Sequence, residues 1–522
     1  MNNGPHVGDA PPPDANCSAD DGAYTGNGTT LARVIVSDPA LQDVVENRLF
    51  HFFRLETVAS TNNLLDSRFW HTVVLQLYYA EPAVKHAVLA LSSTHQVREA
   101  AGDTELALRH QDYADRQYSK ALAALQSLIA QSNDEDVESI LVASSVVLTL
   151  ENVRGNYEAG KVHAEAGRRI LAYHSQRDDR RSRRSEVKEL KQLFRRLDVA
   201  ADSFSDSRTG YPIGDEAVYC AYPTPTDHFN SLDDARSSLI DLIRGTQFIA
   251  CDAVWNASLD KSQAQERAHL LGCLQDWNDR FSTMLTVEAR ALKAQILTLR
   301  IWYLVSKAPM VVGWKGGELR WDALTDLFNE LVSCGEQLLA GLAMKATAGS
   351  FGFDLGYIAP IFFTVERCRD PVIRRRALSI LKAEVRQEGV WESSGAAKVA
   401  ERWMLIEEAG LEVKVANDIP EWHRLQYVDV ALETPLKRAL VVFKLSPADL
   451  LDHEKLARDR LMASENGRQV EDAGLPRTMV PSRLRLTSMS GHHRIEHRVV
   501  VAESTMGPEP NSVQAIHALF DC

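Results

Sequence analysis

The sequence has few cysteines, and no two of them are close together. All seven are scattered along the chain, at Cys17, Cys220, Cys251, Cys273, Cys334, Cys368 and Cys522. Their number is odd and they form no C-x-x-C pair, which argues against a disulfide framework. We therefore expect free thiols and a reducing compartment.

Long apolar runs and an excess of basic residues are also missing. No uncharged apolar segment approaches the length that crosses a bilayer, and the N-terminus lacks a basic region followed by an apolar run. The chain carries 58 Lys and Arg against 71 Asp and Glu, a net charge of −13. The missing apolar run leads us to expect no membrane segment. Because the acidic balance repels a polyanion, we also expect no binding of DNA by bulk charge.

Sequence signatures of catalysis are absent too. The chain contains no G-x-S-x-G, no H-E-x-x-H, no P-loop and no G-x-G-x-x-G after a strand. Scattered Ser, His and Asp do not replace them, because a catalytic triad is defined by geometry. We predict that the protein is not an enzyme, and we assign no catalytic, cofactor-binding or metal residue and no cofactor.

The most informative stretch that is present runs from Asp134 to Leu171. Residues 137–150 are apolar almost all round a helical wheel, which is typical of a buried helix. Ser132 and Glu135 have the spacing of a capping box at its start, and Gly155 marks the turn after it. The apolar positions beyond this turn are Ala159, Val162, Ala166 and Ile170. The pattern predicts a helical hairpin with one buried arm and one amphipathic arm.

Helical spacing recurs along most of the chain and predicts an all-α fold, a multi-helix array of helical hairpins. Three of the other predicted helices begin at Pro39, at Pro82 and after Asp370. The remaining ones cover 104–129, 186–204, 232–257, 262–284, 287–306 and 322–344. Trp302 and Tyr303 are predicted to be core residues. Only 439–444 has the appearance of a strand.

Composition divides the chain into three parts. Residues 1–34 are rich in Pro, Gly, Asp and Asn, and we expect them to be disordered. Residues 35–445 are predicted to form one large helical domain, interrupted by an irregular connection at about 205–233 that is rich in Gly and Pro. Residues 446–522 turn polar and are predicted to be largely disordered, with one short helix near 450–462.

The densest basic patch of the predicted domain consists of Arg367, Arg369, Arg374, Arg375 and Arg376. We expect these side chains to be solvated and paired with Glu366, Asp370 or Glu384. Binding of phosphate or of an effector is the alternative interpretation.

Three further features have a plain and a functional interpretation. The charge-dense break RDDRRSRR at 177–184 is interpreted as a solvated loop, with a nuclear import signal as the alternative. Cys368, beside arginines, is interpreted as a buried and inert thiol, with a redox role as the alternative. His492, His493 and His497 lie in a polar tail with no ordered fourth ligand, so we assign no metal site there.

Four short signatures follow one another along the chain. The first contains Phe69, Trp70, Glu81, Pro82, Ala83, Val84, His86 and Ala90 to His95, and the second Tyr118, Ala121 and Leu125. The hairpin signature contains Glu151, Arg154, Gly155, Asn156, Ala159 and His163. The late signature contains Asp354, Pro360, Phe363, Cys368, Arg369, Asp370, Ile373, Arg374, Ala377, Leu378, Glu388, Gly389 and Trp391. As an ordered set, over residues 35–443, they resemble the regulatory domain of fungal transcription factors, the helical region that usually follows a zinc-cluster DNA-binding module.

The resemblance implies a transcriptional regulator in the nucleus, for example of a secondary-metabolite gene cluster. The chain departs from the family in one respect, because Cys17 is its only cysteine before Cys220. Two zinc ions that share thiolates need six closely spaced cysteines, so we do not expect this chain to contact DNA directly.

The partners that we expect are other transcription regulators or the transcription machinery. A small-molecule effector and a homodimer or heterodimer are further alternatives that the resemblance leaves open. The second functional hypothesis is a scaffold or inhibitor that pairs with intact zinc-cluster regulators.

Overall fold

In the computed structural model of the chain, the described residues are 44–58, 68–100, 103–131, 136–177, 185–204, 228–255, 261–288, 293–313, 317–343, 351–352, 355–433, 438–445 and 499–505. Within these residues the structure is dominated by helices, which confirms the predicted all-α class. The α-helices of the described residues are α1 (Val44–Phe52), α2 (Val74–Ala80), α3 (Pro82–Glu99), α4 (Thr104–Gln131), α5 (Val137–Val153), α6 (Tyr157–Arg177), α7 (Ser185–Phe204), α8 (Leu232–Trp255), α9 (Lys261–Glu288), α10 (Lys293–Val312), α11 (Thr325–Ala343), α12 (Ile358–Arg367), α13 (Pro371–Lys382) and α14 (Ser393–Glu407).

Strands are short or lie after the last helix. A small sheet of order β1-β2-β3 contains β1 (Phe351–Gly352), β2 (Gln387–Glu388) and β3 (Trp391–Glu392). An antiparallel sheet of order β4-β5-β6 contains β4 (Leu425–Glu433), β5 (Arg438–Leu445) and β6 (Val499–Thr505). The strand predicted at 439–444 is confirmed by β5. The two-residue strands were not predicted, because they are too short to show a period of two.

Buried apolar side chains form two clusters. The N-terminal core contains buried residues of α1 to α7, and the C-terminal core contains buried residues from Val199 to Leu425. Helix α7 contributes to both, with Phe194 in the N-terminal core and Val199 in the C-terminal core. Phe351 of β1 is an exception to the chain order, because it lies in the N-terminal core.

The predicted hairpin is present as α5 and α6. Every residue of α5 from Ile140 to Val153 is buried, which confirms the buried arm. Gly155 adopts a positive φ of 75° in the turn between the helices, a conformation that favours glycine. The proposed capping box at residues 132 and 135 lies outside the described residues.

The predicted buried side of α6 was only partly right, because Ile170 packs against the N-terminal core but two other positions of that side are exposed. Val162 is 65% exposed and Ala166 is also exposed. The buried positions of this helix are Gly160, Ala164, Gly167 and Leu171. Helix packing here depends on close approach, because a Cβ added at Gly167 would lie 2.3 Å from Cζ of Phe194 in α7. A prediction from hydrophobic periodicity misses a contact surface made of glycine, because glycine has no apolar side chain.

Other predictions fall partly outside the described residues. The terminal segment 1–34, most of the connection 205–233, and the helix proposed at 450–462 are among the residues that the structure does not describe. Trp302 and Tyr303 are buried in the C-terminal core, as predicted. Among the described helices, none is long and apolar enough to cross a membrane.

Candidate functional site

The first signature forms the N-terminus and the buried face of α3. The Glu81 side chain accepts a hydrogen bond from the backbone nitrogen of Ala83 at 3.2 Å, and Pro82 occupies the first helical position, where its missing N–H costs nothing. Residues 87–95 are all buried. Inside the fold, Ser92 Oγ donates to the carbonyl of Leu49 at 2.7 Å. This signature therefore fixes α3 against α1 at the centre of the N-terminal core.

The hairpin signature forms a polar cluster around the buried side chain of Glu151. Glu151 accepts hydrogen bonds from the Tyr118 hydroxyl and, at 3.0 Å, from Asn156 Nδ2. Arg154 lies over the Tyr118 ring at 5.0 Å from its centroid and pairs with Asp115 at 2.9 Å. Burial, followed by the contact with Glu151, raises the pKa of Tyr118, so the phenol remains a donor. The second and the hairpin signatures thus meet in one cluster.

Three histidines of the signatures are wholly or partly buried. His86 Nδ1 lies 2.7 Å from Oε1 of Gln117, and His95 Nδ1 lies 2.9 Å from Oγ1 of Thr57. Burial lowers the pKa of His95 to about 3, and it also lowers the pKa of His86 and of His163. Burial thus favours the neutral imidazole at each of these positions.

The late signature places Glu388 at the N-terminus of α12. Its carboxylate accepts from the backbone nitrogen of Ile358 and from Nε of Arg386, each at 2.8 Å. A Cβ at Gly356 would lie 1.9 Å from the Glu388 carboxyl carbon, so only glycine leaves room for this carboxylate. Asp354, from the same signature, lies outside the described residues.

The end of α3 and the β1–β2 pair meet between the two cores. Arg98 Nη1 donates to Oε1 of Gln387 at 2.5 Å, and Gln387 Nε2 donates to the carbonyl of Asn152 at 2.6 Å. The Phe351 ring packs edge-on against His95 at 4.5 Å between ring centroids, and the Arg98 guanidinium lies 5.8 Å from the centroid of the Phe351 ring. We refer to His95, Arg98, Phe351 and Gln387 as the seam.

The basic patch differs from the prediction. Arg369 and Arg374 are fully buried rather than solvated, and both pair with Glu407, at 2.8 and 2.5 Å. The other pairs of this patch are Arg367 and Arg369 with Glu318, Arg374 and Arg375 with Glu408, and Arg376 with Glu336.

Two of the predicted partners of this patch have other roles. The Asp370 carboxylate caps α13, and Glu384 accepts from the Tyr357 hydroxyl at 2.8 Å. The carboxylates that pair with Arg369 and Arg374 come from segments more than thirty residues away in sequence, which helical spacing does not predict.

Cys368 and the three histidines of the tail are the other candidate residues. Cys368 is buried, as predicted, and burial raises the pKa of its thiol to about 12. Within the described residues, no three His, Cys, Asp or Glu side chains are grouped so that they could hold a metal ion. The three histidines at 492, 493 and 497 lie outside those residues.

Sequence reasoning missed the seam. A signal for Arg98 was present, because it continues the buried face of α3 that includes Val84, Ala87 and Leu91. A charged residue on a buried face indicates a specific polar contact. No comparable signal marks Phe351, whose position in the N-terminal core depends on tertiary structure.

Comparison with known proteins gives one family. Residues 48–280 match the family model of the fungal specific transcription factor domain, a region that contains α2 to α8 and most of α1 and α9. The late signature lies beyond the matched residues.

Two curated relatives are regulators of transcription. Transcription regulator lscL of Purpureocillium lilacinum is 31% identical over 104 residues, which cover 19% of this chain and 25% of lscL. The aspercryptin biosynthesis cluster-specific transcription regulator atnN of Emericella nidulans is 22% identical over 329 residues, which cover 58% of this chain and 52% of atnN. The chain thus spans about half or less of the length of these relatives. No solved structure matches it.

The family match agrees with the resemblance that the ordered signatures indicated, and it covers the first, second and hairpin signatures. Residues 48–280 of this chain therefore resemble the fungal specific transcription factor domain, and the similarity extends over this part of the sequence.

Proposed function

We propose that the protein regulates transcription of a secondary-metabolite biosynthetic gene cluster in a fungal nucleus. The observation that carries this proposal is the family match over residues 48–280, together with a relative that is a cluster-specific transcription regulator and aligns with 58% of this chain.

We further propose that the protein acts through protein partners rather than by its own contact with DNA. Within the sequence, Cys17 is the only cysteine before Cys220, so the 522 residues contain no six-cysteine cluster. The densest basic patch of the described residues is already paired with carboxylates, so its charge is not available to phosphates. The net charge of −13 points in the same direction.

Deletion of the gene, followed by sequencing of all transcripts, tests the regulatory role. We expect transcripts of a contiguous set of biosynthetic genes to be lost and to return when the full chain is restored. Restoration with the Glu401→Gln variant serves as a control, because this exposed residue pairs with Lys382 across the surface. Unchanged transcripts would contradict every regulatory role proposed here.

A second candidate function is a scaffold or inhibitor that pairs with intact zinc-cluster regulators. The missing six-cysteine cluster favours it, because pairing would then remove DNA-binding capacity from the partner. In that case deletion raises the target transcripts, and the purified chain weakens the binding of a zinc-cluster regulator to its DNA site in a gel-shift assay.

Sequencing the 5′ ends of the native transcript tests whether a zinc-cluster segment is encoded upstream of Met1, which neither proposal assumes. An in-frame six-cysteine segment upstream of Met1 would indicate a regulator that binds DNA itself. Transcripts that begin at Met1 would leave DNA contact to a partner.

A further inference from the structure

His269 and Cys273 bring an imidazole and a thiol together on the outer side of α9. The two residues are four positions apart in this helix, so their side chains lie on the same face. The Nε2 atom of His269 lies 3.6 Å from Sγ of Cys273, and this contact is at the protein surface. His269 is exposed and Cys273 is partly exposed. The pair is therefore open to a ligand from solvent.

The distance between these two atoms matches the one that a tetrahedral zinc site requires. Zinc holds a thiolate sulfur at about 2.3 Å and an imidazole nitrogen at about 2.1 Å. With a tetrahedral angle of about 109° between the two bonds, the sulfur and the nitrogen are about 3.6 Å apart. The observed separation is 3.6 Å. The two ligand atoms thus already have the spacing that one zinc ion needs.

The charges beside the thiol favour a cation. Burial, and then the carboxylate of Asp276, raise the pKa of Cys273, and the influence of Asp276 exceeds the opposite influence of Arg280. The thiol is therefore protonated in the absence of a metal ion. A metal ion that coordinates the sulfur displaces this proton to solvent. Asp276 lies three residues beyond Cys273 and is exposed, so its negative charge attracts a cation to this part of α9.

One chain supplies only part of such a site. In the described part of the chain, no third His, Cys, Asp or Glu joins the pair in a group that could hold a metal ion. A structural zinc site has four protein ligands. Because most oligomers of identical chains are symmetric, a two-fold axis through the metal would bring the same pair from a second copy to the same ion. The resulting set of two Cys and two His is usual in structural zinc sites.

The surface beside the pair allows a second helix to come close. Ala268 and Gly272, which precede His269 and Cys273 in sequence, are both exposed. No atom lies within 4 Å of the place that a Cβ of Gly272 would occupy. Cysteine and histidine side chains are short, so ligands from two helices reach one ion only when the helices are near each other. Neither alanine nor glycine stands in the way of that approach.

We propose that His269 and Cys273 form half of a zinc site that the same pair of a second copy of this chain completes. In this dimer two α9 helices face each other across one metal ion, which two thiolates and two imidazoles bind. The two thiolates neutralise the charge of the divalent ion. Neither the binding nor the dimerisation depends on the proposed function in transcription.

Titration of the purified full chain with Co²⁺ tests the binding. Co²⁺ takes the place of zinc in tetrahedral sites, and a thiolate bound to it adds a charge-transfer band in the near ultraviolet. The chain is first freed of metal with a chelator and kept reduced with a phosphine. We expect a charge-transfer band that saturates at one Co²⁺ per two chains and disappears when zinc is added. Absence of this band would overturn the proposal and show that the contact is a hydrogen bond alone.

Variants assign the band to this pair. Cys273→Ser and His269→Gln should each lose it, because each removes a ligand from both halves of the site. His51→Gln, at an exposed position of α1, is the matched control for the imidazole, and Cys17→Ser is the control for the thiol; both should keep the band. His269 is exposed, so His269→Gln should keep the wild-type Tm in chelator even where Cys273→Ser does not fold. A band of wild-type strength in His269→Gln would overturn the assignment.

Sedimentation analysis tests the role of the second copy. We expect the mass of the wild-type chain to double when zinc chloride is added and to return to its earlier value with chelator, whereas the mass of His269→Gln should not change. An unchanged wild-type mass in zinc would overturn the shared site, and so would a doubling that persists in His269→Gln. These measurements use purified protein, so their failure would leave the proposed function intact. Unchanged transcripts after gene deletion would contradict the proposed function alone.

Discussion

Glu407 lies fully buried at the end of α14, where it connects several segments. Its carboxylate accepts from Arg369 at 2.8 Å, from Arg374 at 2.5 Å and from the backbone nitrogen of Leu425 at 2.7 Å. The two arginines and the hydrogen bond from Leu425 lower its pKa and outweigh the effect of burial. The carboxylate therefore joins α13 and α14 to the start of β4.

Replacing Glu407 with glutamine should strongly destabilise the protein. Glu407→Gln leaves two buried guanidinium groups without this shared charge, and breaking a buried pair in this way costs about 3–5 kcal/mol. Urea denaturation measures the change in the free energy of unfolding. Glu401→Gln, in the same helix but at an exposed pair, should cost less than about 1 kcal/mol. Equal effects of the two variants would contradict the interpretation.

His95 should make stability depend on pH. Burial, and then Arg98, lower its pKa in the folded protein to about 3, whereas histidine in an unfolded chain titrates near about 6.5. The unfolded state therefore binds more protons between these values. The contribution to stability is complete above the unfolded pKa and is lost as the pH falls toward the folded pKa.

The corresponding experiment compares the free energy of unfolding of wild type and His95→Gln over this range. Below about pH 6 the wild type should lose about 1.4 kcal/mol per pH unit more than His95→Gln. His51→Gln, at an exposed position of α1, should keep the wild-type slope. A His95→Gln slope equal to that of the wild type would show that His95 is protonated in the folded state.

At the scale of elements, the contact of α6 with α5 and α7 depends on glycine. A Cβ at Gly160 would lie 2.8 Å from Asn152 Oδ1, and a Cβ at Gly167 would lie 2.3 Å from Cζ of Phe194. These glycines reduce the intrinsic helix propensity of α6, and in return they allow its neighbours to approach.

Gly167→Ala should therefore destabilise the protein although alanine is the better helix former. Overpacking against Phe194 costs about 1–3 kcal/mol, which exceeds the gain of about 1 kcal/mol in helix propensity. Gly341→Ala in α11 is the matched control, because no atom lies within 4 Å of its added Cβ and the variant should be stabilised. Chemical denaturation of both variants decides the sign. A stabilised Gly167→Ala would show that Phe194 moves aside easily.

The sequence predicted most elements but not their tertiary partners. Buried α5, the turn at Gly155 and strand β5 all follow from local pattern, because hydrophobic periodicity and glycine conformation are local properties. The prediction of the buried side of α6 was wrong in part, and so was the prediction of the partners of Arg369 and Arg374. These features depend on which distant segments meet, and one-dimensional spacing carries no information on that point.

At the scale of the whole molecule, helix α7 and the seam connect the two cores. Helix α7 spans both, and Trp391 Nε1 donates to Ser203 Oγ at the end of that helix at 3.0 Å. Phe351 is fully buried in the N-terminal core, although the helices before and after it in sequence contribute to the C-terminal core. Its backbone pairs with Gln387, which holds Arg98, so the apolar and polar contacts of the seam support each other.

Phe351→Ala should loosen the N-terminal core although the residue lies between α11 and α12 in sequence. Truncating a buried phenylalanine costs about 3–5 kcal/mol, and here the cavity would open against His95 and Arg98. We expect backbone amides of α3 and α5 to exchange hydrogen faster, as measured by mass spectrometry. Phe281→Ala is the matched control, because the same truncation beside Trp277 should accelerate exchange in α9 and α10 instead. Faster exchange confined to 351–391 in Phe351→Ala would mean that this residue does not stabilise the N-terminal core.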